Sequence, residues 1–349
     1  MRAIKTARAK PEVEAPLKLK TIALSLVGIA LLAGCGPSGD AGAKTEGGTT
    51  PTPAGGKLTI AVIPKGTTHT YWQSVKAGAE EAGKEFGAEI IFKGPVKEDD
   101  RAGQIQVVQQ FTADKVSGIV LAPLDNNALV APVKSATAEN IPVTIIDSSL
   151  TGEAGKDYTS YVATDNKAAG ALGGERLAKL LGEKGKVVLL RYGVGSASTT
   201  DREAGFLEAI AKYPGIQVVS KDEYAGATQS EAQTKAMQMV DVLKGADGVF
   251  TPNESSSRGM LSALGQMGIA GKIKFVGFDM AAELLDALQA GKIDALVAQN
   301  PKKMGYEGVK AVVQKIKGET VPGVIDTGVE LIDRENIGTP DIQKLIKGE

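Results

Sequence analysis

The 349-residue chain has one cysteine, one histidine and one tryptophan, and aromatic side chains make up only 4% of it. So few Cys and His residues cannot build a zinc cluster, and no Ser-His-Asp set of known chain order can be drawn from them. A full phosphate-binding glycine loop is also missing, since "GVGS" at residues 193–196 is too short. Neither sign of charge is in excess: 40 Lys and Arg face 41 Asp and Glu. Beyond the first residues no basic run tracks a phosphate backbone, which excludes nucleic acid as a partner. Paired carboxylates such as Asp147 and Asp279 leave acid/base hydrolysis as the enzymatic alternative.

What is present is apolar content of 42% in a chain long enough for two domains of ordinary size. A basic stretch (Lys5, Arg8, Lys10, Lys18, Lys20) precedes the apolar run "TIALSLVGIALLAGC", which is too short to span a bilayer comfortably and has the layout of an export signal. Its end, Leu32-Ala33-Gly34-Cys35, resembles the lipobox of bacterial lipoproteins. That resemblance implies cleavage of a signal peptide, residues 1–34, and attachment of lipid to Cys35; the alternative is an uncleaved anchor or a chance cysteine after small residues. Residues 35–56 are dominated by Gly, Thr, Pro and Ala and read as a flexible tether with a reach of about 25 Å. The body starts near Lys57 and is expected to be exported, to the periplasm or the cell surface.

From Lys57 onward, apolar runs such as "LTIAVI", "SGIVLA" and "PVTIID" alternate with amphipathic stretches of a dozen residues or more, the signature of βαβ units around a parallel sheet. The order of elements then repeats from "GKVVLLRYG". "GIVLAPLDNNAL" is answered by "GVFTPNESSSRG", and "IPVTIIDSS" by "IKFVGFDMA". The pattern predicts an α/β fold of two similar doubly wound parallel-sheet domains, with polar residues just past the strand ends meeting in an interdomain cleft. Several of these, Asp125 and Asp165 among them, have the simpler reading of helix caps.

With these motifs in view, the chain from Lys57 to about Asp333 resembles the periplasmic binding proteins of the ribose, galactose and LacI-like class, type I in fold, the substrate-binding components of sugar ABC importers. The set "VIPKGTTHTYW", "APLDN", "TIIDSS", "VATDN", "GSASTTDREAGF", "TPNESS", "VGFD" and "ALVAQNPKKMGYEGV" carries the likeness. It implies two lobes joined by a hinge of several chain crossings: residues 57–164 plus 300–326, and residues 165–299 plus 327–349. It also implies ligand contacts from Lys65, Thr68 and His69 in the first loop, Tyr71 and Trp72 as rings against a sugar face, and Asp147, Ser148, Arg202, Asn253, Asp279 and Gln299 as polar contacts. Ser148 stands where ribose-binding members carry an arginine, so the ligand is expected to differ from plain ribose. Three of these positions have a plainer reading: Trp72 as core, Arg202 in a surface salt bridge, His69 as a hydrogen-bonded bystander.

The resemblance further implies capture by lobe closure, a sugar or polyol as ligand, a membrane permease as partner, a monomer, and no cofactor. A calcium loop of regularly spaced acidic residues, found in one branch of the family, is not seen, so no metal is expected. A sensory component for a sugar or a furanosyl autoinducer-2-like signal is the alternative role, because Lys65 matches a ligand-contacting lysine in such receptors. The repressors that share this core place a DNA-binding domain where this chain has its leader.

Overall fold

The computed structural model describes residues 57–348, so the leader, Cys35 and the tether lie outside the described residues. Along the chain, β1 (Leu58–Ile63), α1 (Thr70–Phe86), β2 (Ala88–Phe92), α2 (Arg101–Ala113), β3 (Gly118–Leu121), α3 (Val130–Ala138), β4 (Val143–Ile146) and β5 (Ser160–Ala163) build a first βα series. Next come α4 (Asn166–Leu180), β6 (Lys184–Arg191), α5 (Ala197–Ile210), β7 (Gly215–Tyr224), α6 (Gln229–Gln238), α7 (Val240–Lys244), β8 (Gly248–Phe250), α8 (Glu254–Gln266), β9 (Lys274–Phe278), α9 (Ala282–Gln289) and β10 (Ala295–Gln299). The chain then returns through α10 (Pro301–Ile316) and β11 (Val324–Asp326), and finishes in β12 (Val329–Asp333) and α11 (Pro340–Lys347).

Two six-stranded sheets result, in the orders β11-β5-β4-β3-β1-β2 and β12-β10-β9-β8-β6-β7. Strand order reverses at β1/β3 in one and at β6/β8 in the other, so each sheet has its switch point at the same topological place. Every pairing is parallel except β10 with β12, an antiparallel edge that the repeat pattern did not foretell. The chain passes between sheets after β5, after β10 and after β11.

The buried stretches of the central strands are almost wholly apolar because both faces are covered. In β1, Ile60 and Val62 face a core with Trp72, Val75 and Met304, while Ala61 and Ile63 face one with Phe111, Leu129 and Val133. In β6, Val188 and Leu190 join Met260, Leu264 and Leu288, whereas Val187 and Leu189 join Phe206, Phe250 and Phe278. The terminal helix α11 adds Ile342 to the second sheet's core. Among the described residues no helix is long and apolar enough to cross a membrane.

One helix pair bears directly on the site. α4 and α5 touch through glycine, and a Cβ at Gly170 would strike the backbone carbonyl of Arg202. Gly170→Ala is therefore expected to push α5 outward, lowering stability by about 1–3 kcal/mol in a thermal melt and loosening the placement of Arg202.

Candidate functional site

The carboxyl ends of the two sheets face one another, and the loops that leave them carry the polar residues. β4 and β9 are each followed by an aspartate with a left-handed backbone, Asp147 at φ 64° and Asp279 at φ 73°. Aspartate tolerates that conformation better than most residues. In each case the aspartate N–H donates to the neighbouring strand, Asp147 to the Val162 carbonyl at 3.1 Å and Asp279 to that of Val297 at 2.9 Å. The repeated turn lifts one carboxylate from each lobe into a small cavity of about 30 Å³.

On the first lobe's wall, Lys65 Nζ lies 2.7 Å from Asp147 Oδ2, and the Tyr71 hydroxyl donates to Asp147 Oδ1 at 3.0 Å. Glu98, in the loop after β2, gathers three partners. Its Oε1 is 2.7 Å from His69 Nδ1 and accepts from Trp72 Nε1 at 2.6 Å, and its Oε2 accepts from the Tyr192 hydroxyl of the opposite lobe at 2.6 Å.

On the second wall, Arg202 is only 2% exposed. Its Nε donates to Asn166 Oδ1 at 2.8 Å, Nη1 to the Pro252 carbonyl at 2.9 Å and Nη2 to Gln299 Oε1 at 2.6 Å, while the guanidinium sits 4.1 Å from the Phe278 ring centroid. Gln299 passes the contact on, donating to Asp279 Oδ1 at 2.7 Å. The reading of Arg202 as a surface salt bridge is thereby excluded.

Burial and pairing set the protonation states. Burial alone would lower the His69 pKa, but the charge and hydrogen bond of Glu98, helped by Glu254 and Asp279, raise it to about 9. Burial pushes Glu98 up, yet His69, Lys65 and the Tyr192 hydroxyl hold it at about 2. His69 and Glu98 therefore stand as a buried ion pair at neutral pH. Asp279 is moved to about 6 by burial, against the pull of Arg202 and Gln299. Burial, reinforced by nearby carboxylates, lifts the Tyr71 and Tyr192 phenols well above their usual range, so both remain neutral donors.

The lobes are closed on each other. Lys65 Nζ donates to Ser198 Oγ at 3.0 Å, Ser198 N to Ser148 Oγ at 3.0 Å, and Asn126 N to the Gly195 carbonyl at 3.2 Å. His69, the N-cap of α1, makes no side-chain cap. Glu254, from the other lobe, takes that role: its carboxylate accepts from Thr70 N at 3.2 Å, Thr70 Oγ1 at 2.9 Å and Tyr71 N at 2.9 Å. Helix α1 is thus capped across the cleft.

Of the residues expected from sequence, Lys65, His69, Tyr71, Trp72, Asp147, Arg202, Asn253, Asp279 and Gln299 line this cavity. Two expectations need correction. Thr68 does not line it, because it precedes the N-cap on the outer side of the turn and is exposed. Ser148 also stands off the lining: the Asp147 turn sends it into the lobe contact with Ser198. Asn253 lines the cavity while capping α8, its Oδ1 accepting from Ser256 N at 3.3 Å. Asp165 caps α4 through Ala168 N, and Asp125 accepts from the N–H groups of Asn127 and Ala128 ahead of α3.

The lining also holds Glu98, Tyr192, Ser196, Ser198, Thr199 and Glu254, which sequence reasoning passed over. Glu98 is one of three consecutive acids in "VKEDD", and nothing in the string separates it from two surface neighbours. Glu254 was detectable as the acid that follows Asn253 at a helix start. Among the described residues no group of His, Cys, Asp or Glu is arranged to hold a metal ion.

A family model described as a periplasmic binding protein domain matches residues 60–320. The D-allose-binding periplasmic protein of Escherichia coli K12 is 30% identical over 271 residues, covering 75% of this chain and 86% of that protein. The D-ribose/D-allose-binding protein of Pseudomonas aeruginosa is 29% identical, covering 79% and 89%. Among solved structures, a carbohydrate transporter solute binding protein from Agrobacterium radiobacter in complex with D-arabinose superposes with a TM-score of 0.80 at 33% identity, covering 84% of this chain and all of that one. An ABC transporter solute binding protein from Agrobacterium vitis with bound D-fucose gives 0.79 at 36% identity, covering 82% and 98%.

Proposed function

Because the chain belongs to the periplasmic binding proteins of the ribose and galactose class, the sugar-binding components of ABC transporters, we propose that its two lobes capture one neutral monosaccharide in the cavity between them and deliver it to a membrane permease. The observation that carries this reading is the cavity itself: polar groups from both lobes converge on one space, with the rings of Tyr71, Trp72 and Tyr192 in its wall. Carboxylates and amides suit a polyhydroxylated ligand, since each can serve two neighbouring hydroxyls, and the ring faces suit its C–H surface.

Ligand contacts are assigned to Lys65, His69, Tyr71, Trp72, Asp147, Arg202, Asn253, Asp279 and Gln299. Ligand binds the closed form alone, touching both walls, and so shifts the population of lobes toward closure. In this reading a lipid on Cys35 holds a monomeric body at the membrane, where the tether keeps it close to the permease. The protein releases its cargo unchanged.

The test is a thermal-shift and calorimetric screen of the body from Lys57 onward. D-allose, D-ribose, D-arabinose and D-fucose are the first panel, because proteins similar to this one are named for them or hold them; xylitol, named in a relative from Mycolicibacterium smegmatis, is the acyclic comparison. A ligand that binds only the folded state raises the melting temperature with its concentration over its Kd. A shift with one or two sugars and none with the rest is the expected result. Folded, ligand-free protein that is silent to every sugar, or that converts one to product, overturns the reading.

A further inference from the structure

The chain's only histidine and only tryptophan are held by the same carboxylate, that of Glu98, which also receives the hydroxyl of Tyr192 from the opposite lobe. With Nδ1 committed to Glu98, the other nitrogen of His69 is left over. Nε2 is buried and has no partner, on a residue only 7% exposed that lines the cavity. A buried polar atom without a partner is costly, and a ligand atom is the natural one to satisfy it.

We propose that Glu98 is a positioning residue for this site, fixing His69 so that its Nε2–H donates to the ring oxygen of a cyclic sugar once Tyr192 closes onto the same carboxylate. The inference rests on the sugar-capture reading and narrows it. Asp147 and Asp279 supply acceptors for hydroxyl protons, whereas the ring oxygen is the one sugar oxygen that carries no proton and can only accept. A fixed N–H donor is complementary to that atom.

The groups facing His69 are Glu98 from the loop after β2, Glu254 from α8 and Asp279 from the end of β9, with Lys65 acting on the pair through Glu98. All three acids favour the imidazolium. The folded-state pKa of about 9 lies above the ordinary 6.5, so the contribution of the charged ring is complete below pH 6.5 and is lost as pH rises through 9. On deprotonation Nδ1–H stays with Glu98 and Nε2 becomes an acceptor. A hydroxyl could turn its proton to meet that change; a ring oxygen cannot.

The experiment measures sugar affinity from pH 6 to 10 together with the ring signals of the single histidine by NMR. For wild-type protein the expected results are a histidine midpoint near 9 and an affinity for cyclic sugars that falls about tenfold to a hundredfold through that midpoint. Any affinity for xylitol should not fall there. Glu98→Gln should move both the midpoint and the fall toward neutral pH, and His69→Gln, which keeps a donor, should abolish the fall. An unshifted profile in Glu98→Gln, or an alkaline fall that survives His69→Gln, overturns the inference. The histidine midpoint is read without ligand. If no sugar binds but the midpoint still moves with Glu98→Gln, the hold of Glu98 on His69 stands and the capture reading fails.

Discussion

Replacing Arg202 by alanine should abolish sugar capture, weakening it more than a hundredfold, and should also lower the stability of the body. The guanidinium is buried and feeds Asn166, the Pro252 carbonyl and Gln299 at once, and through Gln299 it orients Asp279. Removing it leaves several buried acceptors without donors and a buried carboxyl without its counter-charge, at a cost of about 3 kcal/mol. Asp279 gives the loss a pH signature. Its folded pKa is already raised from 3.8 to about 6 by burial, and Arg202 is the main force opposing that rise. A raised carboxyl pKa weakens the folded state as pH climbs through it, so the deficit of Arg202→Ala should be larger at pH 8 than at pH 5. Paired melts at the two pH values check this; equal deficits would remove Asp279 from the account. Arg202→Lys restores charge without the three-way fork and should recover stability better than binding.

Glu254→Ala should open the lobes. This carboxylate, 2% exposed, supplies the cap that α1 lacks from its own sequence, and it does so from the other side of the cleft. Arg258 braces it from behind, with Nη1 at 3.1 Å from Glu254 Oε1, while also pairing with Glu283. Three hydrogen bonds to one carboxylate exist only when the lobes meet, so their loss acts on the open–closed equilibrium more than on either lobe alone. Affinity should fall about tenfold to a hundredfold, chiefly through faster release, and small-angle scattering of the free protein should show a larger radius of gyration. Wild-type affinity together with a wild-type radius would show that Glu254 caps α1 without governing closure. Each lobe should still unfold cooperatively, because neither core contains this residue.

The two halves were legible from sequence because a strand segment covered on both faces is apolar, as in "IAVI" and "VVLL", and because the acids after β4 and β9 recur in the same context. Those local regularities carried the fold class and the cleft, whereas the nine members of its lining came from the resemblance of the loop motifs to a known family. Thr68 and Ser148 were misplaced for a reason no pattern holds: one residue of turn decides whether a side chain faces the cavity, the solvent or the other lobe. The left-handed turn at Asp147 sends Ser148 away from the cavity.

Glu98 and Glu254 mark the same boundary from the other side. In the string they are ordinary acids of a loop and a helix start, yet in the folded chain one joins His69 and Trp72 to Tyr192 and the other caps a helix belonging to the opposite lobe. Composition, periodicity and repeat determined by themselves that this protein has two α/β lobes with polar residues at the strand ends between them. Which carboxylates close that cleft, and which nitrogen of the single histidine Glu98 takes, only the tertiary structure decided, because the closing contacts join residues 94 to 184 positions apart and all of them depend on distances of a few ångströms that sequence spacing does not encode.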